Sequence, residues 1–374
     1  MASTFKTFVS DDIANTRTLL HEAIPITGSI VNSVTYTSDE NIKSYGHGMF
    51  QSVYDYPYTS SSANHIFDMT YGSHSTDGES NASNEYTAKR NNIYNQMAQV
   101  LVGHDVSGNI RKFDVDGDLT GGTTYDDLLF FNFARLLGKD EIKKGTFLLT
   151  LGITTSHSAT VTNMHTIHAA ITDTGAESDY RVNSPAGEYA VLRINEATTD
   201  GGGSEVDANA ENAPCGLIYY QAGIVALDAK ILNANSSATP QNDGYLDASA
   251  VLNSSGGEDT ISEIIASETI TTDVMLADIR KRIVNIQFSN TTELNSTIYF
   301  CRVGHNDFNY SSNPTYLENS KIRVKNKTTD APVSYITTVG LYSADNEMLA
   351  VAKLSEPLRK DPTNDITLRV RLDY

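Results

Sequence analysis

The chain has 374 residues, a formal net charge of −19 and an isoelectric point near 4.8. Hydrophobic residues make up 39% of it and charged residues 20%, a composition that excludes disordered and membrane-embedded chains. Because an acidic surface repels phosphate backbones, we expect no nucleic-acid partner.

The cysteines and the apolar runs indicate the compartment. Only Cys215 and Cys301 occur, fewer than a secreted disulfide scaffold carries. No basic stretch followed by an apolar one resembles a signal peptide near Met1, and no run reaches the roughly 20 apolar residues of a membrane helix. We therefore expect a soluble protein that assembles in a reducing cytoplasm and has no membrane partner.

The N-terminal region is predicted to begin with a short helix. Ser10, Asp11 and Asp12 suit a helix N-cap, residues 13–23 follow as the helix, and Pro25 ends it. From there to about residue 71 the sequence predicts irregular, aromatic-rich loops. Their aromatic residues are Tyr45, Phe50, Tyr54, Tyr56, Tyr58 and Phe67. Long irregular segments are uncommon in isolated compact domains, so we expect a neighbouring chain to cover these loops, with Tyr54, Tyr56 and Tyr58 as the main contacts.

Two further helices are predicted before residue 140. In residues 88–102 the apolar side chains recur at helical spacing, and Gly103 follows where a C-terminal cap belongs. Residues 126–137 begin with two acids and end before Gly138. Because this second segment is apolar nearly all round, we expect a deeply buried helix.

From Gly145 onward the sequence indicates β-structure. Residues 146–153, 189–194 and 217–227 are short apolar runs typical of buried strands. Residues 198–214 and 233–257 are rich in Gly, Ala, Asn and Ser and predict exposed loops.

The C-terminal third has the clearest alternation. Residues 335–342 and 348–354 flank a turn and predict a β-hairpin. Residues 366–374 alternate strictly between apolar and polar side chains, which predicts a final strand with one buried face.

Together these elements predict a mainly β protein, with a β-sandwich-like C-terminal domain and a mixed α+β N-terminal region of two or three helices. The predicted ranges are 1–144 for the mixed region, 145–279 for a β-rich domain with polar loop insertions, and 280–374 for the sandwich-like domain.

One acidic motif is a candidate for metal chemistry. Asp114, Asp116 and Asp118 alternate, so their carboxylates can surround a hard cation such as Ca²⁺. An EF-hand loop would need Gly and Glu where this chain has Leu119 and Tyr125. We interpret the motif as a solvated acidic turn, with Ca²⁺ binding as the alternative.

Other polar residues do not form a recognisable site. His157, His165 and His168 lack the companion ligands of a zinc site, and the glycines at 201–203 do not follow a strand as a nucleotide fingerprint would. Asp126 and Asp127 are explained as helix-terminal acids. No nucleophile elbow and no P-loop occur. We therefore expect no catalytic residue, no cofactor, no bound metal and no enzymatic activity.

Basic residues cluster in two places. Arg280, Lys281 and Arg282 are consecutive, and the second cluster consists of Lys321, Arg323, Lys325 and Lys327. We interpret both as solvated faces of strands or helices, with phosphate binding as the alternative.

Two blocks of the chain resemble the large virion structural proteins of contractile-tailed, T4-like phages of marine cyanobacteria. The first comprises 18–28 (TLLHEAIPITG), 45–58 (YGHGMFQSVYDYPY), 92–102 (NIYNQMAQVLV), 131–137 (FNFARLL) and 143–147 (KKGTF). The second comprises 307–316 (DFNYSSNPTY), 335–342 (YITTVGLY), 349–355 (LAVAKLS) and 368–374 (LRVRLDY).

The resemblance implies a virion component that is made in the host cytoplasm and present in several symmetric copies. Its partners would be other virion proteins and copies of itself, and a tail or baseplate position is expected before a neck, collar or head-surface one. The competing functions are a receptor- or glycan-binding fibre-type module and a depolymerase that uses Asp114, Asp116 or Asp118.

Overall fold

In the computed structural model, about half of the described residues lie in β-strands. The described residues are 5–27, 39–74, 85–137, 140–153, 167–196, 206–233, 240, 244–246, 272–309, 317–318, 321–322 and 333–373. They divide into two compact units. The smaller unit combines Met1–Leu19 with Glu293–Tyr374, and the larger unit is Leu20–Thr292.

Twenty strands are formed by the described residues. They are β1 (Ile13–Thr27), β2 (Ile42–Ser44), β3 (Phe50–Tyr54), β4 (His65–Ser73), β5 (Phe113–Asp114), β6 (Thr124–Tyr125), β7 (Asp127–Asn132), β8 (Glu141–Ile142), β9 (Leu148–Ile153), β10 (Ile167–Thr172), β11 (Arg181–Ser184), β12 (Gly187–Glu196), β13 (Pro214–Tyr219), β14 (Ile224–Asp228), β15 (Ile283–Val303), β16 (Leu317–Glu318), β17 (Lys321–Ile322), β18 (Ser334–Tyr342), β19 (Met348–Lys360) and β20 (Ile366–Asp373).

Helices are few in the described part of the chain. They are α1 (Glu85–Leu101), the single turn α2 (Ala134–Leu137) and α3 (Thr272–Arg282), with 3₁₀ turns at Ser10–Asp12 and Ala229–Leu232.

An antiparallel sheet organises the larger unit. Its strand order is β1-β15-β9-β10-β12-β13-β14-β7-β4-β3-β2, with β11 paired to β12 and β8 paired to β15 outside this path. Strand β7 lies between β14 and β4, so both of its edges are hydrogen-bonded.

Both faces of β7 are buried, and each contributes to a different core. Leu129 and Phe131 belong to a core that also contains residues of α3, such as Leu276. Leu128 and Phe130 belong to a second core, against α1. A strand that is covered on both faces has no polar side to alternate with, which explains the continuous apolar run of its sequence.

Helix α1 packs closely on the sheet because β4 offers it a glycine. A Cβ atom on Gly72 would lie 2.8 Å from the backbone nitrogen of Tyr94. The buried Tyr94 hydroxyl donates a hydrogen bond to the carbonyl of Tyr125 (2.7 Å), which joins the helix to the end of β6.

The smaller unit is built differently. The C-terminal half of β15 pairs with β20, from Ser296 opposite Asp373 to Val303 opposite Ile366. Strands β18 and β19 form a separate two-stranded hairpin. Among the described residues, neither hydrophobic core has a member from the smaller unit.

The mainly β class is confirmed, and several predicted elements are confirmed with it. The helix predicted over 88–102 is α1, and Gly103 ends it with φ +86° and an N–H donated to the Ala98 carbonyl (2.9 Å). The strand predicted over 366–374 is β20, whose apolar side chains are half-buried while its polar ones are exposed. The predicted hairpin is β18–β19.

The prediction of two or three N-terminal helices is wrong. Residues 13–23 lie in β1, because pairing with β15 outweighs the local helix-capping signal. The predicted capping residues form only the 3₁₀ turn Ser10–Asp12. Residues 127–132 form β7, and only Ala134–Leu137 is helical. A short apolar run of this kind does not distinguish a buried helix from a buried strand.

Other differences concern loops. The segment predicted as irregular up to residue 71 contains β2, β3 and β4. The apolar run 217–227 turns at Tyr220–Gly223 and belongs to two strands, β13 and β14. Of the loops predicted to be exposed, Val206, Ala210, Tyr245 and Leu246 are buried in the core.

A β-sandwich in residues 280–374 is not confirmed, and the predicted ranges 1–144, 145–279 and 280–374 stay a prediction. Residues 154–166, with His157 and His165, lie outside the described residues, as do the glycines at 201–203 and Arg323, Lys325 and Lys327.

Candidate functional site

The acidic motif forms the loop of a small β-hairpin in the larger unit. Strands β5 and β6 pair Phe113 with Tyr125 and Asp114 with Thr124. Phe113 and Tyr125 are buried in the core beneath α1. Since Asp114 directly follows Phe113, the hairpin carries a carboxylate to the edge of an apolar core.

The three carboxylates lie in one cluster. One oxygen from each of Asp114, Asp116 and Asp118 can be chosen so that all three lie within 4.8 Å of one another. Asp114 is only 4% exposed, whereas Asp116 and Asp118 are exposed. The turn that was expected to be fully solvated therefore has one buried carboxylate and two exposed ones.

Backbone N–H groups of the loop hold one oxygen of each carboxylate. Leu119 N–H donates to Asp114 Oδ2 (2.9 Å), and Asp118 N–H donates to Asp116 Oδ1 (3.1 Å). The N–H and the hydroxyl of Thr120 both donate to Asp118 Oδ1 (2.7 and 2.6 Å). These bonds curl the loop around the acids, and the positive φ of Gly117 (+73°) and Leu119 (+62°) makes that curvature possible.

The second oxygen of Asp114 is different. Asp114 Oδ1 is buried and accepts no hydrogen bond from the described residues. A Cβ atom on Gly122 would lie 3.9 Å from it, so a side chain at that position would narrow the space in front of this oxygen. A buried carboxylate oxygen without a donor is costly, because that oxygen has lost its water and gained no hydrogen bond in exchange.

The electrostatics of the cluster follow from burial and like charge. Burial raises the pKa of the Asp114 carboxyl to about 6, and the adjacent carboxyl group of Asp116 adds to the rise. The hydrogen bonds from Thr120 lower the pKa of Asp118 instead. The cluster therefore carries concentrated negative charge near neutral pH.

A neighbouring hairpin clamps the loop from outside. The Tyr189 hydroxyl lies 2.7 Å from both the Gly117 carbonyl and Asn183 Oδ1. Asn183 Nδ2 donates to the Asp118 carbonyl (3.3 Å). Strands β11 and β12 thus position the acidic loop through its backbone.

Arg181 is a cation beside this loop, but its partners are other groups. Its guanidinium forms an ion pair with Asp179. Its bond to the loop goes to the backbone carbonyl of Asp116 (3.4 Å) and not to a carboxylate.

The remaining predicted positions do not join this cluster. Asp127 begins β7 and accepts a hydrogen bond from the Tyr71 hydroxyl (2.8 Å), whereas Asp126 pairs with Lys112 (3.1 Å). Arg280 and Arg282 of the first basic cluster are buried, whereas a solvated face was expected for them. Arg280 forms an ion pair with Asp39, with its Nη2 3.2 Å from Asp39 Oδ1.

Two buried carboxylates were missed by sequence reasoning. Asp173 accepts hydrogen bonds from Gly145 N–H (2.7 Å), Phe147 N–H (2.9 Å) and the Tyr220 hydroxyl (2.9 Å). Asp228 accepts hydrogen bonds from the Tyr245 hydroxyl (2.9 Å) and from Lys230 N–H (3.0 Å). Burial raises the pKa of both acids, in Asp228 to about 7. No local motif marks Asp173, because its three donors come from distant parts of the chain. Asp228 makes the local bond of a 3₁₀ N-cap, but its burial and its Tyr245 partner come from the tertiary structure.

Exposed apolar residues mark two further surfaces. In the loop between β3 and β4, Tyr56 and Tyr58 are exposed, and the rings of Tyr54 and Tyr58 lie 6.4 Å apart. The second surface is on the β18–β19 hairpin, where Tyr342 lies opposite Met348 and Val351 lies opposite Gly340. We call Tyr342, Met348 and Val351 the hairpin apolar face; they are 45%, 59% and 61% exposed.

In the part of the chain that the structure describes, no helix combines the length and the apolar character needed to cross a membrane. Comparison of the chain with protein-family models, with curated proteins and with solved structures gives no match.

Proposed function

We propose that the chain is a structural component of a tailed-phage virion that acts by multi-copy protein–protein assembly. The first candidate position in the particle is the tail or baseplate. A neck, collar or head-surface position is the next candidate. The sequence resemblance supports the phage assignment, and the distribution of apolar surface supports the assembly role.

The observation that carries the assembly role is the hairpin apolar face. The β18–β19 hairpin pairs with no other described strand. A two-stranded hairpin is marginally stable in water unless a further layer covers it. Here large apolar side chains point to solvent in a unit that contributes no described residue to either core. Exposed apolar patches of this kind are typical of surfaces that another protein covers.

The sandwich-like arrangement expected of residues 280–374 belongs to the same proposal. In the smaller unit, β15 pairs with β20, β18 pairs with β19, and the short strands β16 and β17 form a further antiparallel pair. We expect the hairpin to complete a layered β-structure together with a copy of this chain or another virion protein. Permanent contacts of this type bury on the order of 2,000 Å² or more.

Light scattering after size-exclusion chromatography tests the assembly role. The wild-type chain is expected to form a defined oligomer, and the Met348→Ser, Val351→Ser double variant is expected to shift it towards the monomer. Val182→Ser is the matched control, because Val182 is also a strand valine and is 70% exposed. It should leave the oligomer unchanged.

Mass spectrometry and cryo-electron microscopy of washed virions test the location. The chain should be found in the particle at a symmetric position. A wild-type chain that remains a monodisperse monomer and is missing from the washed particle would refute the proposal.

A second candidate is a receptor- or glycan-binding module, and the exposed Tyr56 and Tyr58 favour it. Tyrosine rings can stack on sugar rings while their hydroxyls remain in water. Binding on a glycan array that Tyr56→Ala and Tyr58→Ala abolish would support this candidate over the assembly role.

A further inference from the structure

We propose that the Asp114–Asp118 loop is a binding site for a hard divalent cation, with Ca²⁺ as the natural occupant. This inference goes beyond the proposed virion role and replaces the expectation that the chain binds no metal. It rests on the geometry of the three carboxylates and on the unpartnered buried oxygen Asp114 Oδ1.

The spacing of the oxygens fits one central ion. Two oxygens bound to the same Ca²⁺ at about 2.4 Å are separated by at most about 4.8 Å. The cluster oxygens of Asp114, Asp116 and Asp118 all lie within 4.8 Å of one another. Mg²⁺ usually keeps several of its waters and binds through one or two carboxylates, so a set of three protein carboxylates suits Ca²⁺ better. An all-oxygen set also disfavours softer transition metals.

The buried oxygen is what separates this cluster from an ordinary acidic turn. Asp116 and Asp118 are exposed, so water can satisfy them. Asp114 Oδ1 is buried and has no donor among the described residues, although Asp114 Oδ2 does have one. A cation between the three carboxylates would supply the missing partner and offset the repulsion between the acids.

The loop is already held in a binding shape. One oxygen of each carboxylate is oriented by a loop N–H, and Tyr189 and Asn183 fix the loop carbonyls from outside. A site that is organised before the ion arrives loses little conformational entropy on binding. The cation would tie the β5–β6 hairpin into one rigid piece beside the core under α1.

A second loop of the same chain provides a matched control. Asp105-Val-Ser-Gly-Asn109 has the same Asp-Val-x-Gly order as Asp114-Val-Asp-Gly-Asp118. There, Asp105 is half-buried, and its Oδ1 accepts hydrogen bonds from Ser107 N–H and Asn109 N–H (both 2.8 Å). Asp105→Asn therefore changes a similar acidic turn that has no buried unpartnered oxygen.

Tb³⁺ luminescence and calorimetry with Ca²⁺ test the site on the full chain. The chain has no tryptophan, so emission excited at the tyrosine band reports Tb³⁺ near a tyrosine, and Tyr189 contacts this loop. We expect one Tb³⁺ per chain, displaced by Ca²⁺, and a thermal midpoint that rises with Ca²⁺ concentration.

Single Asp→Asn variants test whether the cation site exists. Asp114→Asn and Asp116→Asn should each weaken Ca²⁺ binding at least tenfold and remove the Ca²⁺-dependent rise in thermal midpoint, whereas Asp105→Asn should change neither. Asp116 is exposed, so its variant tests the site even if Asp114→Asn does not fold. Two results would overturn the proposal: a wild-type chain that binds neither Ca²⁺ nor Tb³⁺ at millimolar concentration, or binding that Asp116→Asn leaves unchanged.

Discussion

Asp173 is expected to be a main stabilising contact of the larger unit. Its carboxylate accepts hydrogen bonds from two backbone N–H groups in the turn that leads into β9, those of Gly145 and Phe147. It also accepts one from the hydroxyl of Tyr220, in the turn between β13 and β14. A side chain that follows β10 thus joins two separate turns.

Asp173→Ala would leave three donors without their acceptor. A buried donor that loses its partner costs about 1–3 kcal/mol. Removing the carboxylate also relieves its own desolvation, which is the main cause of its raised pKa. Because the second effect opposes the first, we expect a net loss of about 3 kcal/mol in the free energy of unfolding.

Tyr220→Phe isolates one of the three bonds. The Asp173 carboxylate would keep both backbone donors, so the expected loss is about 1 kcal/mol. In the Asp173→Ala background the same change should cost close to nothing, because the hydroxyl no longer has its acceptor. The two changes should therefore show a coupling energy of about 1 kcal/mol.

Urea unfolding at pH 7 measures these quantities, and Asp179→Ala is the control. Asp179 is an exposed acid, six residues after Asp173, that forms an ion pair with the half-buried Arg181. Its replacement should change stability by less than about 0.5 kcal/mol. A loss below about 1 kcal/mol for Asp173→Ala, or additive effects of the two changes, would refute the reasoning.

Two further stability predictions follow from the same structure. The pKa of Asp228 is raised from 3.8 to about 7 by burial, so the folded state holds its proton more tightly than the unfolded state. This group's contribution to stability is therefore present at low pH and falls by up to about 4 kcal/mol between pH 4 and 7. Urea titration across this range should show the difference in unfolding free energy between Asp228→Asn and the wild type changing by that amount. A difference that does not depend on pH would contradict the raised pKa of Asp228. Gly72→Ala should destabilise the chain by about 2 kcal/mol, because the new Cβ would lie 2.8 Å from the Tyr94 nitrogen in α1. The control Gly46→Ala meets no atom within 4 Å and should be nearly neutral in the same urea assay. Equal effects of the two changes would contradict the close helix–strand contact.

The C-terminal elements could be predicted from sequence because their signals are local. Strand β20 alternates along its whole length, and this alternation matches its half-buried and exposed side chains. The turn between β18 and β19 is built from residues adjacent in sequence, with Asn346 N–H donating to the Ser343 carbonyl (3.1 Å). Helix α1 likewise has its own periodic face and a glycine after its end.

The acidic site could be predicted only in part. The alternation of Asp114, Asp116 and Asp118 indicated that three carboxylates could converge. Whether any of them is buried depends on the core beneath α1, since Phe113 and Tyr125 anchor the hairpin there. The buried oxygen of Asp114 therefore belongs to the tertiary structure.

The sequence by itself determined the mainly β class, helix α1, the C-terminal hairpin and strand, and the positions of the three clustered acids. The tertiary structure decided that residues 127–132 form a strand, because only the pairing of β7 with β14 and β4 and the covering of both its faces distinguish it from a buried helix. It also decided that residues 13–23 are extended and that Asp173 and Asp228 are buried acceptors. The physical reason is the same in each case: the partners that stabilise these conformations lie far away in the sequence, where local propensity carries no information about them.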